Sequence, residues 1–163
     1  MRKVAFLMGS ASDFPRVEKG IAVLRELEID CDVRVLSAHR VPQEVSGFSL
    51  NAESAGFGVI ICAAGLAAHL AGAVAAHTIL PVIGLPLSAG SLQGLDALLS
   101  TVQMPPGIPV ATVGIDAAVN AAVLAAQILA LKDKDLNARI IEFRRKNTAQ
   151  VILADKEIRE GCR

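Results

Sequence analysis

The sequence predicts an α/β fold, with a parallel five-stranded sheet enclosed by helices. Two observations carry this. Short β-branched or apolar runs alternate with longer segments of helical periodicity, and Gly, Ser or Pro marks each junction, as in repeated β-α units. The last three of these runs are almost free of polar side chains, as strands buried on both faces should be.

Strands are expected at Lys3 to Met8, Cys31 to Leu36, Val59 to Ala63, Pro81 to Leu85 and Pro109 to Val113. The first helix is expected over Phe14 to Leu27. Asp13 is placed to be its N-cap, Pro15 falls in its first turn, and Val17, Ile21, Leu24 and Leu27 form an apolar stripe. Later helices fit about Gln43 to Ser54, His69 to His77, Leu92 to Val102, Ala117 to Leu131 and, after the Lys132-Asp133-Lys134 break, Asp135 to about Lys156. The Ala117 helix is apolar nearly all round, which predicts burial on more than one face. Together with 53% hydrophobic residues overall, it suggests contact with other subunits. The last helix alternates charge with Ile140, Ile141, Phe143, Val151, Ile152 and Leu153, and should pack on its own or a neighbouring subunit. Right-handed crossovers then give a three-layer α/β/α sandwich of flavodoxin-like type with a C-terminal helix. The length of 163 residues, without repeat or linker, suits one catalytic domain over 1–163, its core at about 3–131 and a C-terminal helical segment at about 135–157.

Sixteen basic and sixteen acidic side chains cancel, and no Lys/Arg cluster stands out, so no nucleic-acid partner is expected and any bound anion should be small. Cys31, Cys62 and Cys162 are odd in number and lack C-x-x-C spacing. A reducing, cytoplasmic setting fits better than a disulfide framework or zinc ribbon. The apolar run Val4 to Met8 is too short for a signal-peptide core, and no export signal is expected. No charged side chain occurs between Glu53 and Asp96, but Pro81, Pro86, His69, His77 and the Ala/Gly content favour buried strands over a membrane span.

In such sheets ligands bind beyond the carboxyl ends of the strands, so the loops there are the places to look. After the first strand, Gly9-Ser10-Ala11-Ser12-Asp13 reads either as a capped turn or as a phosphate cradle, with Ser10 and Ser12 on a phosphate and Asp13 accepting from ribose hydroxyls. After the second, Ser37-Ala38-His39-Arg40 joins a hydroxyl, an imidazole and a guanidinium. Arg40 suits a phosphate, and His39 is the strong general acid/base candidate among these loops. After the third, Ala63-Ala64-Gly65-Leu66-Ala67-Ala68-His69-Leu70 reads either as tight helix-to-sheet packing or as close backbone approach to a ligand, with N–H donors for developing negative charge. His77, further on, reads as structural. No Cys, Lys or second carboxylate accompanies His39, so neither a covalent triad nor a two-carboxylate hydrolytic site is indicated.

Four segments in order, Met-Gly-Ser-x-Ser-Asp from Met8, Ser-Ala-His-Arg-x-Pro from Ser37, Ala-Ala-His-Leu from Ala67 and Val-Gln-Met-Pro-x-Gly-Ile-Pro-Val from Val102, resemble the N5-carboxyaminoimidazole ribonucleotide mutase family. The likeness runs from about Val4 to Leu131. It implies isomerisation of N5-carboxyaminoimidazole ribonucleotide to 4-carboxy-5-aminoimidazole ribonucleotide in purine biosynthesis, without metal or organic cofactor, by a homo-octamer. Carried over, it implies that Ser10, Ser37 and Arg40 hold the 5′-phosphate, Asp13 the ribose, and backbone donors from Gly65 to His69 the migrating carboxyl group; Ser12, Ala38, Ala67 and Leu70 join the substrate-binding set. His39 would first protonate the carbamate nitrogen and later take up the ring proton, roles one imidazole can combine near neutral pH.

The third loop departs from the family pattern. Ala63, Leu66 and Ala71 stand where the resemblance leads one to expect Gly, Gly and Pro. Leucine disfavours the positive φ that glycine allows, so a reshaped loop or a narrower pocket is expected. The nearest alternative is a carboxylase acting on aminoimidazole ribonucleotide and free carbon dioxide; the Ala-Ala-His-Leu core favours the mutase. A flavin-binding module is disfavoured by the absence of Trp and Tyr, and a phospho-receiver by the absence of an Asp ending the third strand.

Overall fold

The computed structural model describes residues 2–162. Five parallel strands, β1 (Lys3–Met8), β2 (Cys31–Val35), β3 (Phe57–Gly65), β4 (Val82–Leu87) and β5 (Ala111–Thr112), form one sheet in the order β2-β1-β3-β4-β5. The helices are α1 (Phe14–Glu26), α2 (Pro42–Asn51), α3 (Leu70–Ala75), α4 (Leu95–Val102), α5 (Ala118–Ala130) and α6 (Lys134–Gly161), and a single 3-10 turn covers Ala11–Asp13. This is the flavodoxin-like α/β arrangement. Chain direction across the sheet reverses between β1 and β3, which opens a crevice at their carboxyl ends.

The three inner strands are buried on both faces, and this explains their continuous apolar runs. On one face Val4, Phe6, Val59, Ile61, Ile83 and Leu85 pack against α1 and α5; on the other Ala5, Leu7, Ile60, Cys62 and Val82 meet α2 and α3. Removing a side chain such as Phe6 or Ile60 from water is worth about 1.5–3 kcal/mol each. Glycine permits the closest helix contact: a Cβ on Gly20 of α1 would lie 2.5 Å from the carbonyl oxygen of Ala118 in α5.

Several boundaries differ from the sequence expectation. β5 has only two residues, against the five of Pro109 to Val113; Pro109 has no N–H for the ladder, and past Thr112 the Val113 N–H still donates to the Gly84 carbonyl of β4 at 3.1 Å. α4 starts at Leu95 because Gln93 and Gly94 take positive φ, 49° and 91°. α3 starts one residue after His69 and ends before His77, whose Nδ1 lies 2.8 Å from the Ala73 carbonyl oxygen.

Asp133 caps α6, its carboxylate accepting from the Leu136 N–H at 2.9 Å. Leu136 and Ile140 join the core beside α5, whereas Ile141, Val151, Ile152, Leu153 and Ile158 remain exposed. α5 itself buries an alanine face, Ala118, Ala121, Ala122, Ala125 and Ala126, while Val119 is exposed. α5 packs against α1, α6 and the strands β3 and β4, and Val123, Leu124, Ile128 and Leu129 also lie against the core, so the expected burial on more than one face is met within this chain. Among the described residues no helix is long and apolar enough to cross a membrane.

Candidate active site

The loops after β1, β2 and β3 converge on a cavity of about 510 Å³ at the crevice. Its walls contain His39, Ser10, Ser12, Asp13, Ser37, Ala38, Arg40, Gly65, Ala67, His69 and Leu70, so the residues singled out from the sequence are brought together. Leu66, within the expected donor stretch, lines it too, as do Gly9, Ala64 and Ala89, which the sequence does not mark as site residues. Ala89 lies after β4, a loop without a polar motif to attract notice.

The first loop is a closed turn. Asp13 Oδ2 accepts from the Ser10 N–H at 3.1 Å, Ser10 Oγ accepts from the Ser12 N–H at 3.3 Å, and the two hydroxyl oxygens are 2.8 Å apart. This corrects the expected role of Asp13. It stands at the N-cap position of α1 but makes no side-chain cap to that helix, because its backbone is already helical and its carboxylate closes the capping box of the 3-10 turn by accepting from the Ser10 N–H. Burial raises the Asp13 carboxyl above the usual carboxylate value, outweighing the Ser10 N–H and the positive charges of Arg16 and Arg40.

The second loop is tied to the first. Arg40 Nη2 donates to the Gly9 carbonyl at 2.6 Å, and the Arg40 N–H donates weakly to Ser37 Oγ at 3.4 Å. The guanidinium therefore lies beside the serine turn, where both could meet one anion. His39 points toward the third loop: its Nε2 is 2.6 Å from His69 Nδ1, with the rings edge to face at 83°. One of these nitrogens carries the proton and the other accepts it.

In the third loop Leu66 adopts φ 56°, a left-handed conformation that costs a leucine about 1–2 kcal/mol. The residue that stands in place of the expected glycine thus holds a conformation better suited to glycine. The Ala68 N–H donates to Ser100 Oγ at 3.1 Å and the His69 N–H to the Ala67 carbonyl at 2.9 Å. Among the described residues, this leaves the N–H groups of Leu66 and Ala67 without a partner in the stretch expected to bind a carboxyl group.

A larger cavity, about 960 Å³, lies at the opposite edge of the sheet between His77 and Pro109. It is mostly apolar and lacks a comparable group of acid, base and anion-binding side chains. Among the described residues, no three His, Cys, Asp or Glu side chains are grouped as metal ligands.

A model of the AIR carboxylase family matches residues 3–150. The chain belongs to this family. Within it, the chain is 50% identical over 157 residues to the N5-carboxyaminoimidazole ribonucleotide mutase of Methanocaldococcus jannaschii, covering 96% of this chain and 98% of the relative. It is 45% identical over 152 residues to the enzyme of the same name from Escherichia coli K12, covering 92% and 90%. Among solved structures, Treponema denticola PurE superposes with a TM-score of 0.85 at 31% identity, over 94% of this chain and 96% of that one.

Proposed function

We propose that this chain isomerises N5-carboxyaminoimidazole ribonucleotide to 4-carboxy-5-aminoimidazole ribonucleotide, a step of purine biosynthesis, with His39 as the group that moves protons. The observation that carries this is the His39–His69 pair at one wall of a cavity whose other wall holds the Ser10, Ser12 and Arg40 anion cradle. Ser10, Ser12, Ser37 and Arg40 receive the 5′-phosphate and Asp13 the ribose hydroxyls, while Ala38, Gly65 and Leu70 shape the walls.

His39 donates a proton to the carbamate nitrogen as the nitrogen–carbon bond breaks, which yields aminoimidazole ribonucleotide and carbon dioxide. The ring carbon then attacks the carbon dioxide, and His39 takes up the proton lost from that carbon. His69, in hydrogen-bond contact with His39, orients it through both steps. The N–H groups of Leu66 and Ala67 stabilise the negative charge on the migrating carboxyl group. The whole chain acts as one catalytic domain, in the cytoplasm, and assembles into a homo-octamer; the exposed apolar residues Val151, Ile152, Leu153 and Ile158 on α6 support burial against other copies.

The test supplies either N5-carboxyaminoimidazole ribonucleotide without bicarbonate, or aminoimidazole ribonucleotide with bicarbonate in excess. Rapid product formation from the first substrate supports the mutase. Turnover of the second alone would replace it with the carboxylase.

A further inference from the structure

Leu66 combines three observations that the chemistry above does not use. It has a left-handed backbone, φ 56°; the residue is 54% exposed; and it lines the catalytic cavity. A leucine in this conformation, half out of the protein, gains little from burial to offset its backbone strain, so the strain calls for another explanation. The direction of the side chain offers one. A Cβ placed on Gly90, in the loop between β4 and α4, would lie 2.8 Å from Leu66 Cδ2. The isobutyl group therefore reaches from the β3 loop to the β4 loop, and Gly90, itself at φ 62°, leaves it room. Ala89, the neighbour of Gly90, lines the same cavity.

This loop is held from outside the site. Asp116 Oδ1 accepts from the Ser88 N–H at 3.0 Å and Asp116 Oδ2 accepts from Arg16 Nη1 at 2.9 Å. Leu66 thus rests against an anchored segment. The result is an apolar bridge between the β3 and β4 loops at the cavity wall, beside the two free N–H groups of Leu66 and Ala67.

We infer that Leu66 is a retention residue, which keeps carbon dioxide in the pocket between its release from nitrogen and its capture by carbon. This rests on the mutase reading. Carbon dioxide is uncharged and small, so polar groups hold it weakly, and an apolar side chain set across two loops of the cavity wall is the physical means of delaying its escape. When it escapes, the balance is one N5-carboxyaminoimidazole ribonucleotide and one proton giving one aminoimidazole ribonucleotide and one carbon dioxide. When it is retained, the same intermediates recombine and the proton is returned.

The test measures the ratio of 4-carboxy-5-aminoimidazole ribonucleotide formed to aminoimidazole ribonucleotide released, for wild type, Leu66→Gly, Leu66→Ala and Leu66→Met, after subtraction of enzyme-free decay. Glycine relieves the backbone strain and alanine keeps it, yet both remove the bridge, so both should release several-fold more aminoimidazole ribonucleotide per product. Methionine keeps the reach and should retain the wild-type ratio. If the ratio for both small variants equals that of wild type, or if only one of them leaks, the bridge is not the cause. If wild type itself forms no product, the mutase reading fails instead, and the ratio distinguishes the two failures.

Discussion

His39 Nε2 and His69 Nδ1 lie 2.6 Å apart although 30 positions separate them in the chain. Their loops follow β2 and β3, which flank β1, so sheet order alone brings them to one edge. Replacing His39 by Asn removes the group that moves the proton and should lower kcat by about 10²–10⁴-fold with little change in substrate binding. His69→Ala leaves His39 in place but without its partner. It should lower kcat by about 10–10²-fold at nearly constant KM, the pattern of misorientation near the reacting atoms. Steady-state kinetics of the two variants and the double variant checks this, and a double loss smaller than the product of the singles indicates one unit.

Asp13 titrates above an ordinary carboxyl group because it is partly buried. It binds ribose hydroxyls best as the carboxylate, so as pH falls KM should rise at a higher pH than an ordinary aspartate would produce. The stability effect has the opposite sense. The folded state holds this proton more tightly than the unfolded chain, so its contribution to stability declines as pH rises from the ordinary carboxyl value through the raised one. Asp13→Asn should abolish the acid rise in KM while leaving neutral-pH stability equal or slightly higher, as read by pH-dependent kinetics and thermal melts.

Arg40 bridges toward the serine turn by donating to the Gly9 carbonyl. Arg40→Lys keeps the charge but loses the planar fork, and should raise KM by about 10–10²-fold, in line with the ~1.5–3 kcal/mol of a hydrogen bond to a charged group. Isothermal titration with a ribose 5-phosphate probe checks whether the loss lies at the phosphate end.

Gly20 marks the close approach of α1 to α5. Gly20→Ala would drive a methyl group into the Ala118 carbonyl, 2.5 Å away, and should destabilise the fold by about 1–3 kcal/mol. Denaturant unfolding at fixed protein concentration measures it, and activity per folded molecule should be unchanged.

Much of the fold was legible because apolar runs and Gly/Pro punctuation report directly on buried parallel strands. β5 is shorter than its apolar run because Pro109 and Val110 carry the same apolar signature whether or not they enter the ladder. The three active loops were legible because the α/β rule places ligands at strand ends. The His39–His69 contact was not, since side-chain direction depends on how two loops fold toward each other. Leu66 was noticed only as a departure from glycine; that it keeps positive φ and reaches Gly90 needed coordinates. Asp13 stands at the N-cap position that the sequence predicts, but its carboxylate turns back to Ser10, a choice of partner that the Asp signature alone does not show.

The central claim is that one pocket moves a carboxyl group within a single substrate molecule. The most direct measurement follows N5-carboxyaminoimidazole ribonucleotide labelled with carbon-13 in its carboxyl group, incubated with wild-type protein in unlabelled bicarbonate. Product that keeps the label supports the account; unlabelled product, or product that forms only when bicarbonate is present, contradicts it.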